Sequence, residues 1–152
     1  MTKRANFKHI SRYSTPEESP GFLLWRTSTL WRRALEAVLK PLDLTHPQFV
    51  VLATVGWLTK EGQKISQIEV SRQTGLDPNT ISQVLCGLHK KGLLDRSPSL
   101  NEKRKHPMLT PEGVSRVSKA LPEVERADAK FFASLKGDGK DFVEGLKKLA
   151  YP

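Results

Sequence analysis

The densest pattern of apolar and polar positions lies between Leu76 and Leu93. There Ile81, Val84, Leu85 and Leu88 recur at steps of three and four, so one stripe of a helix is buried. Asp77 suits the N-cap, Pro78 the first helical position and Gly92 the position just past the end, so both helix termini are written locally. At about 100° per residue, Asn79, Gln83, Cys86 and Lys90 fall opposite the apolar centre near Leu88, flanked by Thr80, Ser82 and Gly87. This outer face is small and polar, not laced with Glu and Lys pairs. Short donors and acceptors without bulky aliphatics suit a helix that enters a major groove and meets base edges. A solvated face with no partner is the competing reading of this helix taken alone.

Upstream, from Pro20 to about Lys40, Phe22, Leu23, Trp25, Leu30, Trp31, Leu35, Val38 and Leu39 cover more than one helix face. That excess predicts burial on two sides, against the core and against a second subunit. Pro41 stops this helix, and Thr45-His-Pro-Gln48 forms a capping box for the next. The helix it opens runs through Phe49, Val50, Val51, Leu52, Val55, Trp57 and Leu58, apolar nearly all round and so central. After a turn at Lys60 to Lys64, Ile65 is expected in a very short strand. Ser66-Gln-Ile-Glu69 is a second capping box, opening a brief helix that ends at Gly75. A short capped helix, a tight turn and a second helix with a polar outer face make a helix-turn-helix. A plain helical hairpin is the alternative.

Beyond Gly92 the period becomes that of strands, with 93–97 and 106–110 flanking the polar loop 98–105. The hairpin tip carries Lys103, Arg104 and Lys105, and beside a helix-turn-helix such a loop is a wing that reaches phosphates or a minor groove. Pro107 inside the second strand implies an edge position with no ladder donor. Thr110 and Pro111 then open a long helix carrying Val114, Val117, Leu121, Val124, Phe131 and Leu135, which Pro122 is expected to bend or interrupt. Gly137-Asp-Gly139 breaks the chain, and Phe142, Val143, Leu146 and Leu149 mark a final amphipathic helix. The fold class is mainly α with a small β-hairpin wing.

Composition narrows the partners. At 152 residues the chain is one domain of ordinary size, and 25 Lys and Arg against 16 Asp and Glu leave a charge of +9. That excess favours a polyanion, although charge alone does not separate nucleic acid from a membrane surface. No apolar run approaches the roughly 18 residues of a membrane span, and no signal-peptide apolar segment follows the basic N-terminus, so a cytoplasmic location is expected. Residues 1–19 read as a basic flexible arm with Lys3, Arg4, Lys8 and Arg12, either inert or touching DNA. The single cysteine excludes an intrachain disulfide, and His9, His46, His89 and His106 give no short metal-ligand spacing. No nucleophile elbow, Walker loop, dinucleotide fingerprint or zinc-protease motif is present. No metal, cofactor or enzymatic activity is expected, and Trp25, Trp31 and Trp57, at helical spacing, read as core.

The order of elements and the residues themselves resemble the MarR family of bacterial winged-helix transcriptional regulators over residues 20–150. The resemblance rests on Leu44-Thr-His-Pro-Gln-Phe-Val-Val-Leu52, Ser66-Gln-Ile-Glu-Val70 and Leu76-Asp-Pro-Asn-Thr-Ile-Ser-Gln-Val-Leu85. His89-Lys-Lys-Gly-Leu-Leu-Asp-Arg96 and Leu109-Thr-Pro-Glu-Gly113 close it around the wing. It implies a homodimer built on 20–42 and 111–150, with a winged helix-turn-helix over 45–110 in each subunit. Such a dimer would bind double-stranded DNA at a pseudopalindromic operator, usually as a repressor, under control of a small-molecule effector seated between the two parts.

Carried over by position, Pro78, Asn79, Thr80, Ser82 and Gln83 fall where the family's recognition helix meets DNA. Ser66, Gln67, Lys90, Lys103, Arg104 and Lys105 complete the expected DNA-facing set. A side-chain amide pairs with an adenine edge through two bonds, which makes Asn79 and Gln83 the base readers. Thr80 and Ser82 are assigned to phosphates, which position without specifying. Two departures stand out. Asn101-Glu-Lys103 replaces the family's Asp-x-Arg at the wing, and lysine lacks the arginine's forked contacts, so either Arg104 takes over or the wing binds by charge. Cys86 and Gly87 stand on the groove face where charge is common, and an outward Cys86 thiol raises the idea of redox control. The competing function is a winged-helix module that binds proteins without reading DNA sequence.

Overall fold

Among residues 4–95 and 106–152, which the computed structural model describes, the elements are as follows. The helices are α1 Phe7–Ile10, α2 Pro20–Leu39, α3 His46–Leu58, α4 Gln67–Thr74, α5 Pro78–Lys90, α6 Pro111–Phe132 and α7 Gly139–Ala150. Strands β1 Leu94–Asp95 and β2 Met108–Leu109 pair antiparallel, Leu94 opposite Leu109 and Asp95 opposite Met108. Short 3-10 turns occupy Pro16–Glu18, Lys40–Leu42 and Ala133–Asp138.

Helix α3 is the centre, as its apolar circumference dictates. Its Phe49, Val51, Leu52 and Val55 are buried, with Leu35 and Leu39 of α2, Ile81, Leu85 and Leu88 of α5, and Ala120 and Val124 of α6 in the same core. Each such leucine or isoleucine contributes about 1.5–3 kcal/mol by leaving water, so α3 fastens the helix-turn-helix to the long helices α2 and α6. Both predicted capping boxes form. The Thr45 amide donates to Gln48 Oε1 at 3.2 Å and the Gln48 amide to Thr45 Oγ1 at 3.3 Å, while Ser66 and Glu69 exchange the equivalent bonds at the start of α4.

Several expectations are corrected. Ile65 is buried but joins no strand; its carbonyl accepts a hydrogen bond from His106 Nδ1 at 2.8 Å, which satisfies it without a ladder. Pro107 is buried and lies just before β2, outside the strand in which it was expected. Trp25 and Trp57 are 67% and 62% exposed, and among the three tryptophans only Trp31 turns inward. Within the segment read as a flexible arm, Phe7–Ile10 makes a single helical turn. Pro122 does not interrupt α6, and the break before α7 falls at Lys136 (φ 48°, ψ −120°), one residue ahead of the glycine pair expected to make it.

Candidate nucleic-acid interface

The turn between α4 and α5 is closed by its own side chains. Gly75 ends α4 in the left-handed region at φ 73°, Ser71 Oγ donates to the Leu76 carbonyl at 2.6 Å, and the Leu76 amide donates to Thr74 Oγ1 at 3.3 Å. Asp77 then caps α5: the amides of Asn79 and Thr80 each donate to its Oδ1 at 3.0 Å, and Thr80 Oγ1 donates to Oδ2 at 2.5 Å. The Thr80 hydroxyl, followed by these backbone donors, holds the Asp77 carboxyl below its ordinary range. Glu69 is lowered in the same way, by its bonds from Ser66.

The far end of α5 is equally well defined. Gly92, at φ 70°, donates to the His89 carbonyl at 2.9 Å, and Leu93 donates to the Leu88 carbonyl at 3.0 Å. These two bonds are a Schellman closure, which needs a residue free to adopt positive φ. With Ile81, Leu85 and Leu88 fully buried, α5 has a fixed rotation about its axis.

That rotation decides what is presented outward. Asn79, Ser82, Gln83 and Lys90 are exposed and make no side-chain hydrogen bond with the described residues, and Pro78 is exposed at the helix start. Asn79 and Gln83 stand about 6 Å apart along one face, the spacing of neighbouring readers. Thr80 is half-buried with its proton given to Asp77, and the Ser66 hydroxyl donates to Glu69 Oε2 at 2.8 Å, so both spend their donors on caps. Gln67 is half-buried in the first turn of α4. Cys86 is half-buried and not open on the outer face, and a Cβ built on Gly87 would point at Gln48 Nε2, 3.4 Å away. Gly87 therefore faces α3 and not the groove.

Behind α5 the hairpin is pinned at its base. His89 Nδ1 donates to the Leu94 carbonyl at 3.0 Å, Thr110 Oγ1 to the Gly92 carbonyl at 2.6 Å, and the Thr110 amide to the Leu93 carbonyl at 3.1 Å. Since a carbonyl only accepts, both His89 and His106 carry a proton on Nδ1. The cations assigned to the tip, Lys103, Arg104 and Lys105, lie outside the described residues.

Sequence spacing gave no sign of the junction where α2, α3 and α6 meet. Trp31 Nε1 donates to Asp128 Oδ1 at 2.7 Å, and the Trp31 ring meets the His46 ring edge-on, centroids 5.1 Å apart. Burial lowers the His46 pKa, with Glu36 opposing and Arg32 reinforcing.

A short capped helix, a left-handed turn, an outward polar helix and a hairpin pinned behind it define a winged helix-turn-helix DNA-binding protein. Comparison with known proteins agrees. The MarR family model matches residues 44–106. An uncharacterised HTH-type transcriptional regulator of Bacillus subtilis, YdcH, is 36% identical over 91% of this chain and 95% of its own length. The HTH-type transcriptional repressor Rv2887 of Mycobacterium tuberculosis is 31% identical over 85% of this chain and 91% of its own. Its crystal structure in complex with DNA superposes with a TM-score of 0.66 at 29% identity, covering 86% of this chain and 97% of that one. Bordetella bronchiseptica BpsR, at 24% identity, shares the fold with a TM-score of 0.81 over 93% and 99% of the two chains. The chain belongs to the MarR family and is a DNA-binding transcriptional regulator.

Proposed function

We propose that the chain acts as a homodimeric repressor in the cytoplasm, without enzymatic activity, and reads a pseudopalindromic operator with Asn79 and Gln83 of each subunit. The observation that carries this reading is the outer face of α5, where two amides with no side-chain hydrogen bond to the described residues stand on a helix whose ends and rotation are fixed. Ser82 and Lys90 on that face, with Lys103, Arg104 and Lys105 of the wing, are assigned to phosphates. Dimerisation is supported by apolar surface left uncovered by the described residues. Helix α7 buries none of its residues although Val143, Leu146 and Leu149 line one side, and Phe22, Leu23 and Trp25 of α2 are likewise exposed. A two-fold axis through these helices would present two α5 copies to successive major grooves.

Repression and effector control follow the relative Rv2887, a repressor whose structures include complexes with salicylic acid and p-aminosalicylic acid. A cleft of about 570 Å³ between α2 and α6 is lined by Ala34, Val38, Ala127 and Phe131 together with Glu123, Arg126 and Lys130; Arg126 is paired with Glu123, so Lys130 is the cation that supports a small aromatic acid as effector. Anisotropy titrations against duplex DNA over a range of salt test the reading. Affinity should fall steeply with salt on every sequence, should exceed the random-DNA value on selected sites, and should weaken with an aromatic carboxylate. Salt-independent binding, or none, would favour the protein-interaction module instead.

A further inference from the structure

Lys91 follows the last residue of α5, on the helix that carries the proposed base readers. A lysine serving DNA phosphates would extend toward the groove, but this one turns back into the protein. Its ammonium donates to the Asp43 carbonyl at 2.6 Å and to Gln48 Oε1 at 3.2 Å, and pairs with Asp43 Oδ1 at 3.1 Å. All three of its donors are used. Asp43 belongs to the link between α2 and α3, one of the two places where the chain passes between the long helices and the helix-turn-helix, and Gln48 stands in the first turn of α3.

That link is held in an uncommon conformation and gripped from both sides. Asp43 is left-handed at φ 52°, a region that aspartate and asparagine tolerate better than other side chains. From α6, Arg116 Nη1 donates to the Leu42 carbonyl at 2.7 Å while its Nη2 pairs with Glu112 Oε1 at 2.9 Å. On the other side, the same Gln48 oxygen that accepts from Lys91 accepts from the Thr45 amide, and Gln48 Nε2 lies against Gly87 of α5. The end of the recognition helix, the start of α3 and the link from α2 thus form one polar network. A cation at the C-terminus of α5 is also favoured by the helix dipole.

We propose that Lys91 is a positioning residue for operator recognition. By clamping the end of α5 to the Asp43 link, it fixes the angle of the recognition helix to the dimer axis and so the separation of half-sites that the dimer accepts. The inference rests on the dimeric operator reading above. Turning the helix-turn-helix relative to α2 would break the Lys91 bonds, and half-site separation is set by that angle.

The test measures affinity of the full-length chain for its selected operator, for spacers one base pair longer and shorter, and for random DNA. Lys91→Met, which removes all three bonds, should lower the ratio of native to altered spacing by about fivefold, and Asp43→Asn, which weakens only the ion pair and leaves the carbonyl and Gln48 bonds in place, by about twofold. Lys91→Arg should keep most of the ratio. Asp43→Asn keeps both the cation and a side chain suited to positive φ, so its affinity for random DNA should match the parent chain. The proposal is overturned if both variants retain the parental ratio, or lose affinity by the same factor on every spacer. A parent chain indifferent to spacing would overturn the operator reading and this inference together, whereas parental discrimination with unchanged variants overturns the inference alone.

Discussion

Replacing Gly113 by alanine adds one methyl group where α6 crosses the end of the recognition helix. A Cβ at Gly113 would lie 2.0 Å from the Leu93 carbonyl oxygen and 3.0 Å from its carbon, against ordinary contacts of 3.4 Å or more, so either Leu93 or the start of α6 must move by more than an ångström. Neither is free to do so. Leu93 is fully buried, its amide closes α5 on Leu88, and its carbonyl accepts from Thr110. Overpacking costs about 1–3 kcal/mol and losing the buried Thr110 bond about 1–3 kcal/mol, offset by about 1 kcal/mol for alanine over glycine within a helix. A net loss of about 3 kcal/mol follows, or roughly 10 °C in Tm for a chain of this size. Urea unfolding followed by circular dichroism measures it, with Gly87→Ala as the control. There the neighbour is the flexible end of Gln48, and the helix gain of up to about 1 kcal/mol should leave the variant as stable as the parent or more so. A Gly113→Ala chain within about 0.5 kcal/mol of the parent, or a Gly87→Ala chain equally weakened, would rule out the clash with Leu93.

Other predictions concern the interface and its supports. Gln83→Ala should cost roughly 1–3 kcal/mol on the operator and little on random DNA; equal losses on both, read by anisotropy, would contradict its role as a base reader. Arg104→Ala should weaken binding to all sequences and flatten the salt slope. Ser66→Ala should lower stability by about 1 kcal/mol by opening the α4 capping box, seen as a shift in urea midpoint at constant slope. His46 has a folded pKa below its ordinary value of 6.5, so between the two the unfolded chain binds more protons. Its contribution is complete above that value and is lost as pH falls through the window, so acidification should lower Tm more in the parent than in His46→Phe. Glu69 and Asp77, also lowered, add their own losses only further down, below the ordinary carboxylate range.

What could be read from the chain was local. Capping boxes at Thr45 and Ser66, the Asp77 cap, and Gly75 and Gly92 past two helix ends are short-range codes, and each forms as written. The buried stripe of α5 followed from its period, and with it the outward placement of Asn79 and Gln83. Contacts across elements were not legible. The helical wheel put Gly87 toward the groove because it cannot show that α3 crosses there, and it left Cys86 fully outward although it is half-buried. Likewise Lys91 with Asp43, and Trp31 with Asp128, join residues 48 and 97 positions apart, and nothing in one sequence marks such pairs. Trp25 and Trp57 were misread because helical spacing says that a residue shares a face, not whether anything covers it.

If two copies of α5 read DNA together, selection of bound duplexes from a random pool, followed by sequencing, will recover a two-fold symmetric motif whose half-sites lie about one helical turn apart, 10–10.5 base pairs centre to centre. A single unrepeated half-site, or a pool without enrichment, would contradict that joint reading.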